Sequence, residues 1–167
     1  ETMYGQTNCF VLPEGEYGAF EAENGDILVV SQRSSVGMSY QNLLKEWGKA
    51  TPLVLFTGEQ LLGLPLIAPN AVYDVVYTLP LLTISMGKGT GVATSVPSDA
   101  PDDYAALREL KEKPVWREKF GISSNKPSIS VLPAPLPMPA MVASTQVTPD
   151  STAARVFAKA NPLLLCA

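Results

Sequence analysis

The stretch that decides the fold runs from residue 89 to residue 103 and reads Gly-Thr-Gly-Val-Ala-Thr-Ser-Val-Pro-Ser-Asp-Ala-Pro-Asp-Asp. The apolar residues 79–84 before it predict a strand, residues 92–96 predict a second, and residues 101–120 predict an amphipathic helix. The glycines permit a tight turn, and the aspartates fall where a helix N-terminus favours negative charge. We therefore predict one concave site at this junction for a small cationic or hydroxylated ligand.

Outside this stretch, the first 125 residues predict many short strands and few helices. The dipeptide Asn24-Gly25 is a strong signal for a hairpin turn, and Pro80 is expected to bend one long apolar segment into two strand halves. A short helix is predicted over residues 38–47. Strands are predicted over residues 6–12, 19–23, 26–31 and 53–56, over 63–66 as an edge strand of a sheet, and over the two halves of 71–85. This content indicates an α+β domain, compact and barrel-like, in which a strongly bent sheet is flanked by short helices.

The long helix carries explicit start and stop signals. Either Ser98 or Asp99 is expected to cap it, with Pro101 in the first turn and Asp102 closing a capping box with Asp99. Pro114 is expected to end or kink its first part. Basic and acidic residues are mixed along the helix, which favours a solvated face over a nucleic-acid patch.

The composition excludes several classes of function. The 167 residues suffice for one domain, and the net charge of −4 provides no global basic field for nucleic acid. The absence of histidine removes Ser-His and Cys-His nucleophile pairs and the commonest zinc ligand. Cys9 and Cys166 are interpreted as two free thiols. No stretch of the sequence is apolar enough for a membrane span, and none has the pattern of a signal peptide. These observations together predict a cytosolic protein. Because no methionine precedes Glu1, the chain is expected to be a piece of a larger protein.

The last third of the chain has a different composition. Residues 126–139 hold five prolines among apolar residues and predict an extended segment, and residues 152–160 predict a small helix. We assign no role to residues 126–167.

The segment Gly87-Lys88-Gly89-Thr90-Gly91 leaves more than one interpretation open. A phosphate-binding loop fails on spacing, because the lysine precedes the last two glycines, and a dinucleotide fingerprint fails because a strand follows instead of a helix. A turn that needs positive φ is favoured, and a backbone cradle for a nucleoside is the alternative.

The aspartate cluster is open to three interpretations as well. Asp99, Asp102 and Asp103 can simply cap and solvate a helix end. A magnesium site is a weaker option, because adjacent helical side chains point about 100° apart. The third option is that one carboxylate points inward and holds an ammonium group through charge-assisted hydrogen bonds.

Three segments together resemble the editing domain of cytosolic leucyl-tRNA synthetases of the eukaryotic and archaeal type. They are Glu-Thr-Met-Tyr-Gly-Gln-Thr-Asn at 1–8, Val-Val-Tyr-Thr-Leu-Pro-Leu-Leu-Thr at 75–83, and 87–104 with its Val-Pro-Ser-Asp-Ala-Pro-Asp-Asp. The similarity covers residues 1 to about 125. It implies that this domain of a leucine–tRNA ligase deacylates tRNA(Leu) mischarged with norvaline, isoleucine or methionine. It also implies a cytoplasmic monomer whose partners are the rest of the parent synthetase and the tRNA 3′-terminal adenosine.

The resemblance further implies roles for individual residues. Asp103 would grip the α-ammonium group of the wrong amino acid, and Thr2 would crowd out leucine. Val96 would line the amino-acid pocket. The implied substrate-binding set is completed by Met86, Gly87, Lys88 and Gly89 beside the terminal adenosine, and by Thr90, Thr94 and Asp99. No metal, cofactor or covalent nucleophile is implied in this domain, since ATP and magnesium belong to a separate site of the parent enzyme.

Two other functions stay open on the sequence. One is a catalytically weak module that keeps the editing fold and binds a nucleoside or a tRNA 3′ end. The other is a protein-interaction domain that offers the proline-rich residues 126–141 as a docking ligand.

Overall fold

The computed structural model describes residues 4–120 and 122. Seven strands, three α-helices and one 3-10 turn follow one another along this part of the chain. They are β1 (Asn8–Val11), β2 (Glu16–Glu21), β3 (Ile27–Ser31), α1 (Gln32–Ser39), β4 (Val54–Thr57), the 3-10 turn Gly58–Leu61, β5 (Pro65–Ile67), β6 (Val75–Pro80), β7 (Val92–Ser95), α2 (Pro101–Glu112) and α3 (Pro114–Lys119).

The strands form two sheets. The first has the order β5-β6-β1-β7, with β1 parallel to β6 and antiparallel to β7, and the second is the antiparallel sheet β3-β2-β4. A turn in which Gly15 N donates to Leu12 O at 3.0 Å carries the chain from β1 into the second sheet. Each sheet keeps two edge strands within the described residues, so these strands form no closed barrel. The mixture of sheets and short helices agrees with the predicted α+β class, whereas the barrel-like closure is not found.

Core side chains pack on both faces of β1. Successive residues of a strand point to opposite faces, so Cys9 and Val11 pack with Tyr17 while Phe10 packs with Leu107 of α2. All four β1 residues are buried. β1 therefore lies between the second sheet and α2.

The first helix begins earlier than predicted. Its N-cap is Ser31, so the helix predicted over 38–47 is wrong except at its first two residues. Asn42 has φ +54°, which an α-helix cannot contain. Leu44 forms a β-bridge with Ala22, so Leu44 and the neighbouring Leu43 pack against the β2–β3 hairpin and not along a helix face.

Pro80 ends β6 and does not bend a longer strand. Leu81 N still donates to Val11 O at 2.9 Å, but residues 82–83 already form a turn. The predicted strand over 79–84, and the second half of 71–85, are therefore wrong beyond this point, because proline lacks the N–H that would extend the ladder.

Other predicted elements are confirmed. Asn24-Gly25 lies in the loop between β2 and β3, with Gly25 at φ +81°, and β5 lies at a sheet edge. Pro114 separates α2 from α3, and Arg108 pairs with Glu112 at 3.6 Å on an exposed helix face.

Several predictions concern residues outside those described: Thr2, Cys166, the extended segment 126–139 and the helix 152–160. Among residues 4–120 and 122, none of the helices is both long and apolar enough to cross a membrane.

Candidate functional site

The glycine loop, which we define as residues 86–91, leads into β7. Gly89 has φ +56° and Gly91 has φ +79°, a region of backbone conformation that residues with a side chain rarely adopt. The predicted turn with positive φ is thus confirmed. The chain continues from the loop into a strand, which is the geometry of neither a phosphate-binding loop nor a dinucleotide fold.

The end of the glycine loop is tied to the core by a buried tyrosine. Tyr17 Oη donates to Gly91 O at 2.6 Å and accepts from Leu12 N at 3.0 Å. Burial raises the pKa of the Tyr17 hydroxyl above its usual value, so this group stays a neutral donor over the physiological range. The point at which the loop enters β7 is therefore fixed.

Two open clefts flank the glycine loop, each of about 630 Å³. Gly89 and Thr90 line the first together with Arg33 at the start of α1. Met86 lines the second, on the side of Gly15. Loop residues predicted to lie beside a nucleoside thus border spaces that are open to solvent, while Lys88 and Gly87 are exposed at the loop tip.

The aspartate turn, residues 96–103, lies at the other end of β7. Val96 is 6% exposed, and its N–H donates to Asp103 Oδ2 at 2.9 Å. A Cβ built on Gly5 would lie 3.3 Å from Val96 Cγ1 and 2.6 Å from Ser98 Oγ. The backbone at Gly5 therefore passes directly against this turn. Thr2 lies outside the described residues.

The cap of α2 differs from the prediction. Asp99 N and Ala100 N both donate to Val96 O at 2.9 Å, so the chain completes a turn of its own before the helix begins. Ala100 is consequently the N-cap, without a side-chain hydrogen bond, and neither the Ser98 or Asp99 cap nor the capping box with Asp102 forms. The carboxylate that does bond to this turn is Asp103, which is half-buried, whereas Asp99 and Asp102 are exposed.

Beside the aspartate turn lies a buried polar cluster that the sequence did not predict as a site. Gln6, Thr7, Asn8 and Ser95 are each at most 1% exposed. Asn8 pairs with Ser95 across the β1–β7 ladder. Four buried side-chain atoms have no hydrogen-bond partner among the described residues: Gln6 Oε1, Asn8 Nδ2, Ser95 Oγ and Ser98 Oγ. Buried polar groups are nearly always paired, so these four atoms are exceptions within the described residues.

The glycine loop and the aspartate turn lie at different places in the structure. At about 3.3 Å per residue, the five steps from Gly91 to Val96 span roughly 16 Å. The two halves of the expected site therefore lie at opposite ends of β7, with Thr94 half-buried between them. A ligand that contacts both ends must be extended along this strand.

Metal binding finds no support in the described part of the chain. No three side chains of the types His, Cys, Asp or Glu come together there as a group that could hold an ion. Positive charge near the site comes from Arg33 and Lys88 at the glycine loop, and negative charge from the aspartate turn.

Comparison with known proteins gives consistent results. The chain is 57% identical over 122 residues to a cytoplasmic leucine–tRNA ligase of Dictyostelium discoideum, a match that covers 73% of this chain and 12% of the relative. It is 46% identical over 133 residues to the cytoplasmic enzyme of Arabidopsis thaliana, covering 80% of this chain and 12% of the relative. The chain thus spans about an eighth of the length of these curated relatives. Their names agree with the expected cytoplasmic location. No family model matches the chain.

Solved structures with the same fold are editing domains. A crystal structure described as GlLeuRS-CP1 superposes with a TM-score of 0.75 at 41% identity, covering 81% of this chain and 49% of that chain. The editing domain of the cytosolic leucyl-tRNA synthetase of P. falciparum superposes with a TM-score of 0.69 at 27% identity, covering 75% of this chain and 47% of that one.

Proposed function

This chain belongs to the family of cytosolic leucyl-tRNA synthetase editing domains, and we propose that it hydrolyses the ester of tRNA(Leu) charged with an amino acid other than leucine. Its relatives by sequence and by structure support an editing role at the level of the family. The substrates we propose are the norvalyl, isoleucyl and methionyl esters.

The need for such a domain follows from elementary energetics. One methylene in an apolar pocket changes binding by only about 1–3 kcal/mol. A synthetic site therefore cannot by itself reject aliphatic side chains of nearly the same size, and a second site that hydrolyses wrong products restores the missing selectivity.

The observation that carries the proposal is the placement of Asp103. Its carboxylate is half-buried at the start of α2 and bonded to Val96 N, and the side chain of Val96 in turn lies against the backbone at Gly5. A carboxylate held in this way is suited to bind the α-ammonium group of an aminoacyl ester by a charge-assisted hydrogen bond. Val96 beside it is then in position to contact the amino-acid side chain, and we assign to Thr2, on the resemblance alone, the exclusion of leucine.

The separation of the two loops fits an extended ligand. An aminoacyl-adenosine carries its ammonium group at one end and its base at the other. With the ammonium group at Asp103, Thr94 lies along the path of the ligand and the base reaches towards the glycine loop, where Met86 and Thr90 border open clefts. We therefore assign the terminal adenosine to residues 86–90 and the amino acid to the aspartate turn.

The chemistry proposed is direct attack by water. The chain contains no histidine, and Cys9 is fully buried with a pKa that burial raises to about 12, so it is not a nucleophile at neutral pH. A water oxygen attacks the ester carbonyl carbon, and the bond to the ribose oxygen then breaks, which releases the free amino acid and a tRNA with a free hydroxyl group. Because the ester is already activated, holding it against one ordered water supplies much of the rate enhancement.

The partners and requirements follow from this assignment. The domain acts as a monomer on the 3′-terminal adenosine of the tRNA and needs no cofactor of its own, while the rest of the parent synthetase holds the tRNA body. A net charge of −4 fits a domain that leaves the tRNA body to the rest of the synthetase, because tRNA phosphates are bound by positive charge.

The proposal is tested by deacylation of tRNA(Leu) charged with norvaline or with leucine. The unmodified chain should release norvaline and spare leucine, Asp103→Asn should release neither, and Thr2→Ala should release both. Hydrolysis of norvalyl-tRNA at an unchanged rate by Asp103→Asn refutes the assigned anchor. Binding without any turnover by the unmodified chain identifies the alternative, a module that binds the tRNA end without editing.

A further inference from the structure

The first turn of α1 holds the glycine loop through three hydrogen bonds. Ser31 N donates to Thr90 O at 2.7 Å. Arg33 Nη1 donates to Gly87 O, and Ser34 Oγ donates to Gly89 O. These donors lie more than 50 residues before their acceptors in the chain, so the contacts are tertiary and depend on the placement of α1.

Tyr17 fixes the end of the loop at Gly91, but residues 87–89 at the tip have few other contacts that define their shape. A Cβ built on Gly89 would have no atom within 4 Å, and residues 87–89 are exposed. Bonds within the loop are long, with Gly87 N and Lys88 N each 3.3 Å from Ser85. Because glycine has the largest backbone entropy of any residue, such a segment samples many conformations unless outside partners restrain it.

Bonding the carbonyl groups also fixes the amide groups of the loop. A trans peptide is planar, so the N–H of each residue points opposite to the C=O of the residue before it. The bond to Gly89 O therefore orients the N–H of Thr90, and the bond to Thr90 O orients the N–H of Gly91. Oriented backbone amides are what a loop offers to the hydroxyl and base acceptors of a nucleoside.

We infer that Arg33 and Ser34 are positioning residues that hold the glycine loop in the shape that binds the terminal adenosine. This inference rests on the proposed function, since it assumes that the loop binds a nucleoside. Arg33 and Ser34 act through the loop backbone and are not catalytic. Neither belongs to the sequence pattern that suggested the site.

The experiment compares Arg33→Ala and Ser34→Ala with Arg33→Lys and Ser34→Thr, which keep a donor at each position. Arg108→Ala is the matched control, because Arg108 is likewise exposed on a helix but pairs with Glu112 away from the loop. Affinity is measured by calorimetry with a non-hydrolysable amide analogue of norvalyl-adenosine. Loop order is measured by hydrogen exchange of amides 87–91.

Both alanine variants should raise the Kd of the analogue roughly tenfold, the effect of losing one hydrogen bond. They should also speed exchange of amides 87–91 about tenfold, whereas Arg108→Ala should leave the exchange of these amides unchanged. In deacylation, KM should rise while kcat stays within about threefold, and the lysine and threonine variants should recover most of the affinity.

Unchanged Kd values in variants of a chain that binds the analogue overturn the inference and leave the proposed function intact. Unchanged exchange of the loop amides overturns it whether or not the analogue binds. A fall in kcat without a change in KM also overturns it, because a loop that only positions the adenosine has no part in the bond-breaking step. Failure of the unmodified chain to bind the analogue refutes the proposed function instead.

Discussion

Replacing Asp103 by alanine and by asparagine separates its structural role from its proposed chemical role. The carboxylate accepts a hydrogen bond from Val96 N at 2.9 Å, in a half-buried position in the first turn of α2. A hydrogen bond to a charged group contributes about 1.5–3 kcal/mol, and an acidic group at a helix N-terminus about 0.3–1 kcal/mol. Asp103→Ala should therefore lower the free energy of unfolding by about 2 kcal/mol, which is roughly 4–8 °C in Tm for a chain of this size.

Asp103→Asn keeps an oxygen acceptor for Val96 N and loses only the charge. We expect this variant to lower the free energy of unfolding by about 0.5–1 kcal/mol. It should lose deacylation as completely as the alanine variant, because a neutral amide no longer balances the ammonium charge. Asp102→Ala is the control, since Asp102 occupies the same helical turn but is exposed.

Urea unfolding followed by circular dichroism measures the stabilities, and release of norvaline from charged tRNA measures the activity. Equal destabilisation by the alanine and asparagine variants would show that the hydrogen bond to Val96 is not what the carboxylate contributes to the fold. An asparagine variant that deacylates normally would show that its charge has no role in binding.

Three further predictions concern the surroundings of the site. Tyr17→Phe removes both hydrogen bonds between a fully buried hydroxyl and backbone groups. It should lower the free energy of unfolding, measured with urea, by about 1–3 kcal/mol, and a change below about 0.5 kcal/mol would contradict this account. A Cβ on Gly58 would lie 2.0 Å from Leu12 O, so Gly58→Ala should lower Tm by several degrees in a thermal melt, and an unchanged Tm would disprove the close approach. Because burial raises the pKa of Cys9 from 9.0 to about 12, its thiol stays protonated in the folded state while the unfolded one ionises. In a Cys166→Ser background the free energy of unfolding should therefore fall more steeply between pH 9 and 12, by about 1.4 kcal/mol per pH unit, than in the same background with Cys9 also replaced by alanine, where the raised pKa of Tyr17 still acts. Equal pH dependence of the two proteins would contradict this expectation.

The parts of the fold that follow local rules were predictable from the sequence. Asn24-Gly25 marks its hairpin because the turn needs a residue that tolerates positive φ, and Pro114 breaks its helix because proline provides no donor. The position of α1 was not predictable from apolar periodicity. The helix starts where Ser31 caps it, and the positive φ of Asn42 prevents it from continuing. Leu44 forms a β-bridge to the hairpin, which is a tertiary contact.

The site was predictable only in part, for a related reason. The residue types around Asp103 and the glycine loop could be identified, and the strand predicted over 92–96 corresponds to β7, which separates them by its own length. The contacts of α1 with the loop and the burial of Gln6 and Asn8 are tertiary. A run of polar residues at the start of an apolar strand was the one local signal of the buried polar cluster.

The most direct test of the account is a calorimetric titration of the unmodified chain and of Asp103→Asn with the amide analogue of norvalyl-adenosine. The account predicts that the unmodified chain binds the analogue and that the variant, still folded, does not. Equal binding by both proteins, or no binding by either, would contradict the claim that this domain holds an aminoacyl-adenosine through Asp103.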